Sequence, residues 1–309
     1  PLIVRLANSN IHKITNSTSI SFDNGVFQTP LGVVTQEGID SARNLLQYFF
    51  SNVAKRKKVE EDFNQRIDSY LKIIPRPKGG GLYYENIFDT ADSIQKESDV
   101  IDALENSLSL ISTPKDTGDK KTEDESVFDL SLEIETDLAI RKKLENWYNS
   151  SKKGMHNYGS IKVKEIFAVD LLKYNQNFRH NLGNNVQVWH GSGQSNILSI
   201  LKSGLAVSPP STAAIAGKMF GNGVYGSETS SKSLGYSLGR WGQSSGDSGW
   251  LFVCEFAMGN AHYPKNSLSK IPSGYDSCWA LPKHTSLHND ELIVYDQNQI
   301  RIKYLIEVK

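Results

Sequence analysis

The sequence changes texture across one polar stretch, Pro114-Lys-Asp-Thr-Gly-Asp-Lys-Lys-Thr-Glu-Asp-Glu-Ser126, and that break limits the folds open to the chain. Before it, apolar residues recur at spacings of three and four. After it, short apolar runs alternate with glycine-rich turns. A helical period and a strand period belong to different packing layers, so the pattern predicts two domains. The stretch itself carries charges of both signs and no periodicity, and reads as an exposed linker. With 309 residues the chain is long enough for two domains of ordinary size.

In the first half Ile39, Ala42, Leu45, Leu46, Phe49, Phe50 and Val53 mark one apolar helix face, with Thr35 as its expected N-cap. A second face reads Val59, Phe63, Ile67, Tyr70, Leu71 and Ile74, and Pro75 with Pro77 should stop it. A third reads Ile101, Leu104, Leu108 and Ile111. Such stripes are core positions first, and helices packed on helices are expected. Residues 1–27 are mixed, with strand-like alternation over Ser19-Ile-Ser-Phe22, and read as an arm or the end of an upstream module. The chain starts at Pro1 without a methionine, as a piece of a longer protein would.

The second half predicts a helix over Glu135–Tyr148, with Ile140, Leu144, Trp147 and Tyr148 on one side. Strand signals follow at 161–169, 186–189, 251–256, 292–295 and 302–308, with few helices between them. The expectation is an α+β fold: a helical N-terminal domain over 28–126 with its linker, then a mostly antiparallel domain over 127–309.

Composition excludes several classes. Lys plus Arg and Asp plus Glu each total 34, so the basic surplus of a chain that grips nucleic-acid phosphates is absent. No apolar run approaches the roughly 20 residues that span a bilayer, and the first residues do not resemble a signal peptide. The two cysteines are Cys254, within an apolar strand run, and Cys278; a reducing, intracellular setting is expected.

Four glycine-punctuated pieces carry the chemistry. Val188-Trp-His-Gly-Ser192 is a strand ending on His-Gly, followed by a short helix, Ser195–Lys202, closed at Gly204. Then come Gly217-Lys-Met-Phe-Gly-Asn-Gly-Val-Tyr225 and Ser231-Lys-Ser-Leu-Gly-Tyr236. Last is Asp290-Glu-Leu-Ile-Val-Tyr295, a carboxylate opening a late strand. Singly each has an ordinary explanation: a satisfied polar strand end, half-buried tyrosines, a solvated edge glutamate. A dinucleotide fingerprint would need a third glycine and a βαβ unit, and no metal-ligand spacing occurs in this half.

In this order the pieces resemble the catalytic domain of the poly(ADP-ribose) polymerase family. His190-Gly-Ser192, Pro209-Pro210, Met219–Tyr225, Ser231–Tyr236 and Glu291–Tyr295 carry the resemblance, and the closing Ile300–Val308 looks like the family's last strand. Thr29–Glu37, Tyr70–Pro75 and Ala91–Gln95 resemble the α-helical regulatory domain of the DNA-damage-responsive members. The resemblance runs from about residue 28 to the end.

That resemblance implies an NAD-dependent protein ADP-ribosyltransferase, with polymer formation favoured over single transfer and a role in a DNA-damage response. NAD is the substrate and no metal takes part. His190, Tyr225 and Glu291 would form the catalytic trio; His190, Gly191, Ser192, Tyr225, Ser233 and Tyr236 would hold NAD; Lys232 would face the acceptor. Expected partners are protein acceptors, including the chain itself, and damaged DNA through modules outside this chain, with no membrane. The compartment would be the nucleus in a eukaryote and the cytoplasm in a bacterium or virus. Mono-transfer, transfer to nucleic acid, and an inactive NAD- or ADP-ribose-binding module are the alternatives. The chain departs from the family at Gly193 and Ala206, where basic residues are common. It departs also at Lys218, where tyrosine is frequent, and in a shorter stretch between Asn260 and Asp290.

Overall fold

A computed structural model describes residues 2–58, 60–77, 88–111, 129–207, 219–238 and 248–309. The linker at 114–126, Val59, Pro209-Pro210 and Gly217-Lys218 lie outside the described residues. The described residues fall into two compact units, with the division in sequence between Val127 and Phe128.

The first unit contains α1 (Leu2–Ser17), α2 (Gln36–Asn52), α3 (Glu60–Ile73) and α4 (Ala91–Ile111). Thr35 caps α2 as expected, its hydroxyl accepting the Gly38 N–H. Ile39, Ala42, Leu46 and Phe49 of α2 share a core with Phe63, Ile67 and Tyr70 of α3 and with Ile94, Ile101 and Leu104 of α4. Buried ion pairs fix the register: Arg43 on α2 bonds Asp102 at 2.8 Å and also Glu105 on α4. Beyond α3, Arg76 bonds Glu97 and the Ser17 carbonyl, tying the end of α1 to α4.

The unit departs from the sequence reading in two places. Leu2–Ser17, read as part of a mixed arm, is a helix whose Leu2, Leu6, Asn10 and Ile14 are buried. The four-residue spacing is intact, but Asn10 interrupts its apolar run and hides the period. Nor is the unit purely helical: β1 (Ser21–Asp23), β2 (Val26–Thr29) and β3 (Gly32–Val33) form a small antiparallel sheet. Asn24 and Gly25 make its first turn with φ of 49° and 80°, the left-handed pair that tight hairpins require.

The second unit is the α+β fold expected. Its five-stranded sheet has the order β4-β5-β12-β8-β6 and its four-stranded sheet the order β7-β11-β10-β9. The strands are β4 (Leu130–Ile134), β5 (Val163–Leu171), β6 (Asn185–Gly191), β7 (Val224–Gly226) and β8 (Gly249–Ala257). They continue as β9 (Ala261–His262), β10 (Ser277–Ala280), β11 (Glu291–Val294) and β12 (Ile300–Val308). All pairings are antiparallel except β9 with β10. The helices are α5 (Leu138–Ser150), α6 (Leu172–Gln176), α7 (Ile197–Ser203) and α8 (Ser230–Leu238). Asp137 starts α5 by accepting the Ala139 and Ile140 N–H groups. Gly204 ends α7 at φ 76°, a conformation glycine adopts without steric cost.

Two backbone hydrogen bonds join the sheets: Trp189 N–H to Ser227 O at 2.8 Å, and Ser227 N–H to Trp189 O at 3.1 Å. Trp189 is fully buried and stacks on Trp147 of α5, with ring centroids 4.1 Å apart. The seam therefore holds the end of β6 against the end of β7, and the residues on either side of it carry the polar chemistry. Among the described residues no helix is long and apolar enough to cross a membrane.

Candidate active site

His190 follows Trp189 on β6 and places its Nδ1 2.9 Å from the Tyr225 carbonyl on β7. A carbonyl can only accept, so Nδ1 carries the proton and donates it. Burial pushes the imidazole below its ordinary value and keeps it neutral. Nε2 is thereby left as an acceptor lone pair, suited to a hydroxyl.

Gly191 is required by contact. A Cβ there would lie 1.8 Å from the Ser233 carbonyl oxygen of α8, so only glycine lets β6 and α8 approach. Ser233 is buried and its hydroxyl donates to the Trp189 carbonyl at 3.1 Å. With its proton so engaged, the oxygen can still accept an N–H from a bound group. Ser192, the next residue beyond β6, is half-buried.

The Tyr225 hydroxyl donates to Gly221 O at 2.8 Å and accepts Phe220 N–H at 3.0 Å. The Tyr295 hydroxyl donates to Phe220 O at 2.6 Å, so two tyrosines clamp the turn before β7. Burial raises the Tyr225 phenol far above its ordinary value, with smaller contributions from Glu291, Cys278 and Tyr236. Tyr225 pairs with Ile293 across β7 and β11, two residues along the strand from Glu291. Tyr236 stands on α8 with 56% of its surface exposed, at the rim rather than in the floor.

Glu291 opens β11 and is buried. Its Oε1 accepts from Lys232 Nζ at 2.7 Å, while Oε2 is shut off from solvent without a hydrogen-bond partner. Lys232 also donates to the Asp290 carbonyl at 2.9 Å. Burial lowers the lysine's pKa and the Glu291 carboxylate opposes that shift. A buried carboxylate oxygen with no donor is costly in the free protein, by about 1–3 kcal/mol or more.

The structure thus links His190 to Tyr225, Gly191 to Ser233 and Lys232 to Glu291 around one seam. The sequence reading passed over the residues that hold this arrangement. Asp290 accepts from Ser227 Oγ at 3.0 Å and Glu228 N–H at 2.9 Å, pinning the turn into α8. His156, on the turn Gly154–His156, bridges Ser231 and Asn289. Asp290 was visible as the neighbour of Glu291; for His156 no local signal exists. Among the described residues, no cluster of three or more His, Cys, Asp or Glu side chains is placed to hold a metal ion.

Residues 140–290 match the family model of the poly(ADP-ribose) polymerase catalytic domain. Over 328 residues the chain is 26% identical to poly [ADP-ribose] polymerase 1 of Gallus gallus, covering 94% of this chain and 32% of that protein. It is 27% identical over 330 residues to poly [ADP-ribose] polymerase 1 of Danio rerio, with the same coverage, 94% and 32%. It is 28% identical over 201 residues to poly [ADP-ribose] polymerase 2 of Homo sapiens, covering 54% of this chain and 34% of that protein. The chain spans about a third of the length of these relatives.

Proposed function

Because this chain belongs to the poly(ADP-ribose) polymerase family, we propose that it cleaves NAD to nicotinamide and transfers the ADP-ribose to a protein acceptor. The observation that carries the reading is the state of Glu291: one carboxylate oxygen held by Lys232, the other buried and unpartnered, on the strand that pairs with β7 of Tyr225.

Each residue has a role in that chemistry. The neutral His190 Nε2 accepts a hydroxyl of the adenosine ribose. The nicotinamide carboxamide lies against the Gly191 backbone and donates to Ser233 Oγ, with Ser192 beside it. Its ring lies flat between Tyr225 and Tyr236, as aromatic faces prefer. The bond from ribose C1′ to the nicotinamide nitrogen then breaks. The bonding pair leaves with nicotinamide, whose ring nitrogen loses its positive charge, and the sugar gains oxocarbenium character as in glycoside cleavage. Glu291 Oε2 accepts the hydroxyl of that ribose and stabilises the positive charge. As an acceptor oxygen attacks C1′, its proton passes to the carboxylate. Lys232 holds Oε1, so the carboxylate does not turn away.

Polymer formation over single transfer, a role in a DNA-damage response, and damaged DNA as a partner through other modules belong to the same proposal. So does regulation: we infer that the helical unit restrains NAD access to the catalytic unit. The relatives' names, which say poly [ADP-ribose] polymerase, support polymer formation, and their match over 94% of the chain takes in the helical unit. Incubation with labelled NAD, run on a gel with and without nicked DNA, tests it. Nicotinamide release with a labelled, protease-sensitive product is expected, longer when nicked DNA and the upstream modules are present. No release of nicotinamide overturns the reading, and a nuclease-sensitive product reassigns the acceptor. A folded chain lacking residues 1–127 should turn over NAD faster; an equal or lower rate refutes the restraint.

A further inference from the structure

We propose that His156 is a positioning residue for the transfer, bridging the start of α8 to the segment that enters β11 so that Lys232 stays seated on Glu291. The proposal rests on the transferase reading above and adds to it the part of the chain that braces the ion pair.

The two partners of that pair belong to different elements, Lys232 to the first turn of α8 and Glu291 to the start of β11. A flexible lysine keeps one geometry only if the backbones at both ends are held. The chain that follows α5 holds them. Tyr148 O accepts from Ser230 Oγ at 2.7 Å, and Ser151 Oγ accepts the Ser230 N–H at 3.3 Å. Helix ends leave such carbonyls and N–H groups over, so the end of α5 and the start of α8 satisfy each other. Ser231 Oγ then accepts the Lys153 N–H at 2.8 Å. Toward β11, Lys153 Nζ donates to the His288 carbonyl at 3.3 Å.

His156 joins the two sides through one rigid ring. Its Nδ1 lies 2.8 Å from Ser231 Oγ, next to Lys232, and its Nε2 lies 3.1 Å from Asn289 Nδ2, two residues before Glu291. An amide nitrogen only donates, so Nε2 holds a lone pair and Nδ1 donates its proton to Ser231. The ring nitrogens point outward in fixed directions, and the spacing they impose does not adjust as a lysine's four-carbon stem does. A protonated ring would set two donors against each other at Nε2, so only neutral His156 makes the bridge. Burial favours the neutral ring, and so do Lys153 on its own turn and Lys232 on α8. The ionisable neighbours of Asn289 along the chain are His288, Asp290 and Glu291. Asp290 takes Ser227 Oγ and the Glu228 N–H, and Glu291 takes Lys232. Removing the two ring nitrogens releases α8 from the entry to β11 at the point where the ion pair is made, and Lys232 then no longer fixes Oε1.

The test measures nicotinamide release by the full chain over a range of NAD concentrations. His156→Phe keeps a ring and removes both nitrogens, so kcat should fall about tenfold while the KM for NAD stays within about twofold. A double-mutant cycle separates positioning from packing. Because His156 acts through Lys232, His156→Phe should lower kcat by less than about twofold in a Lys232→Met background. In wild type the bridge is lost as the ring takes up a proton. The ratio of wild-type to His156→Phe kcat should therefore shrink toward one as pH falls from about 7.5 to about 5, below the ordinary histidine value. Should His156→Phe fail to fold, Ser231→Ala, which removes the acceptor of Nδ1, carries the same cycle with the same expected values. An unchanged kcat, a tenfold loss repeated in the Lys232→Met background, or a ratio independent of pH overturns the proposal. A wild-type chain that releases no nicotinamide overturns the transferase reading itself, before any variant is compared.

Discussion

Lys232 Nζ lies 2.7 Å from Glu291 Oε1, and the other oxygen of the same carboxylate has no partner. On the proposed reading, this asymmetry separates a working carboxylate from a structural ion pair. A pair formed only for stability would satisfy both oxygens, because a buried acceptor left alone is destabilising.

Glu291→Gln should retain NAD binding and lose transfer. Replacing the carboxylate with a neutral amide removes the charge that opposes the developing cation, a loss of about 2–4 kcal/mol in barrier, or roughly 30- to 1000-fold in rate. Single-turnover nicotinamide release beside an NAD titration measures both quantities. Transfer at the wild-type rate would contradict the role given to Glu291.

Lys232→Met should lower turnover by about tenfold or more, since truncating one partner of a buried pair leaves the other charge uncompensated. The carboxylate then loses the donor that orients it, so kcat should fall with little change in the KM for NAD. Steady-state kinetics of the variant check this, and a kcat equal to wild type would exclude it.

Gly191→Ala should disrupt the contact between β6 and α8. The added methyl would sit 1.8 Å from the Ser233 carbonyl, and backbone cannot yield as a flexible side chain does. Overpacking of this kind costs about 1–3 kcal/mol and sometimes more. A lowered melting temperature together with lost NAD binding is expected; an alanine variant with normal affinity would disprove the close approach.

Stability should fall as pH drops below about 6.5, the ordinary histidine value. His190 is held below that value by burial, and His156 by burial with Lys153 and Lys232. Between the folded and unfolded pKa values the unfolded chain binds more protons, so acidification favours unfolding across that window. Thermal melts between about pH 7.5 and pH 5.5 should show this, and His190→Gln should flatten the dependence. An unchanged slope in that variant would mean His190 does not titrate as described.

Tyr225→Phe should raise the KM for NAD with less effect on kcat. The hydroxyl accepts the Phe220 N–H and donates to the Gly221 carbonyl, so its loss frees the turn that presents the ring. Leaving the amide unsatisfied costs about 1–3 kcal/mol. Steady-state kinetics separate this from an effect on the chemical step.

Much of the architecture is legible in the residues themselves. The three- and four-residue spacing of Ile39, Ala42, Leu46 and Phe49 and the cap at Thr35 give α2 directly. The apolar run at 251–256 becomes β8, paired on both sides within the sheet. His190, Tyr225, Ser233 and Glu291 were named because their short motifs, taken in this order, resemble those of the family; singly each motif has an ordinary explanation. The helix at Leu2–Ser17 was not legible, since a buried Asn10 breaks its apolar period. Of the hairpin at Asn24-Gly25 only the alternation over Ser19–Phe22 was legible, since its two strands hold three and four residues.

What the sequence by itself determined is which residue types are present, in what order, and on which local elements. That Glu291 is a partly satisfied carboxylate was decided by tertiary structure alone. Lys232 stands 59 residues before it, and His156 stands 133 residues before Asn289. Period and propensity describe neighbours along the chain, whereas a hydrogen bond depends on atoms a few ångströms apart in space. Only the pairing of β7 with β11, and the seam between Trp189 and Ser227, brings those atoms together.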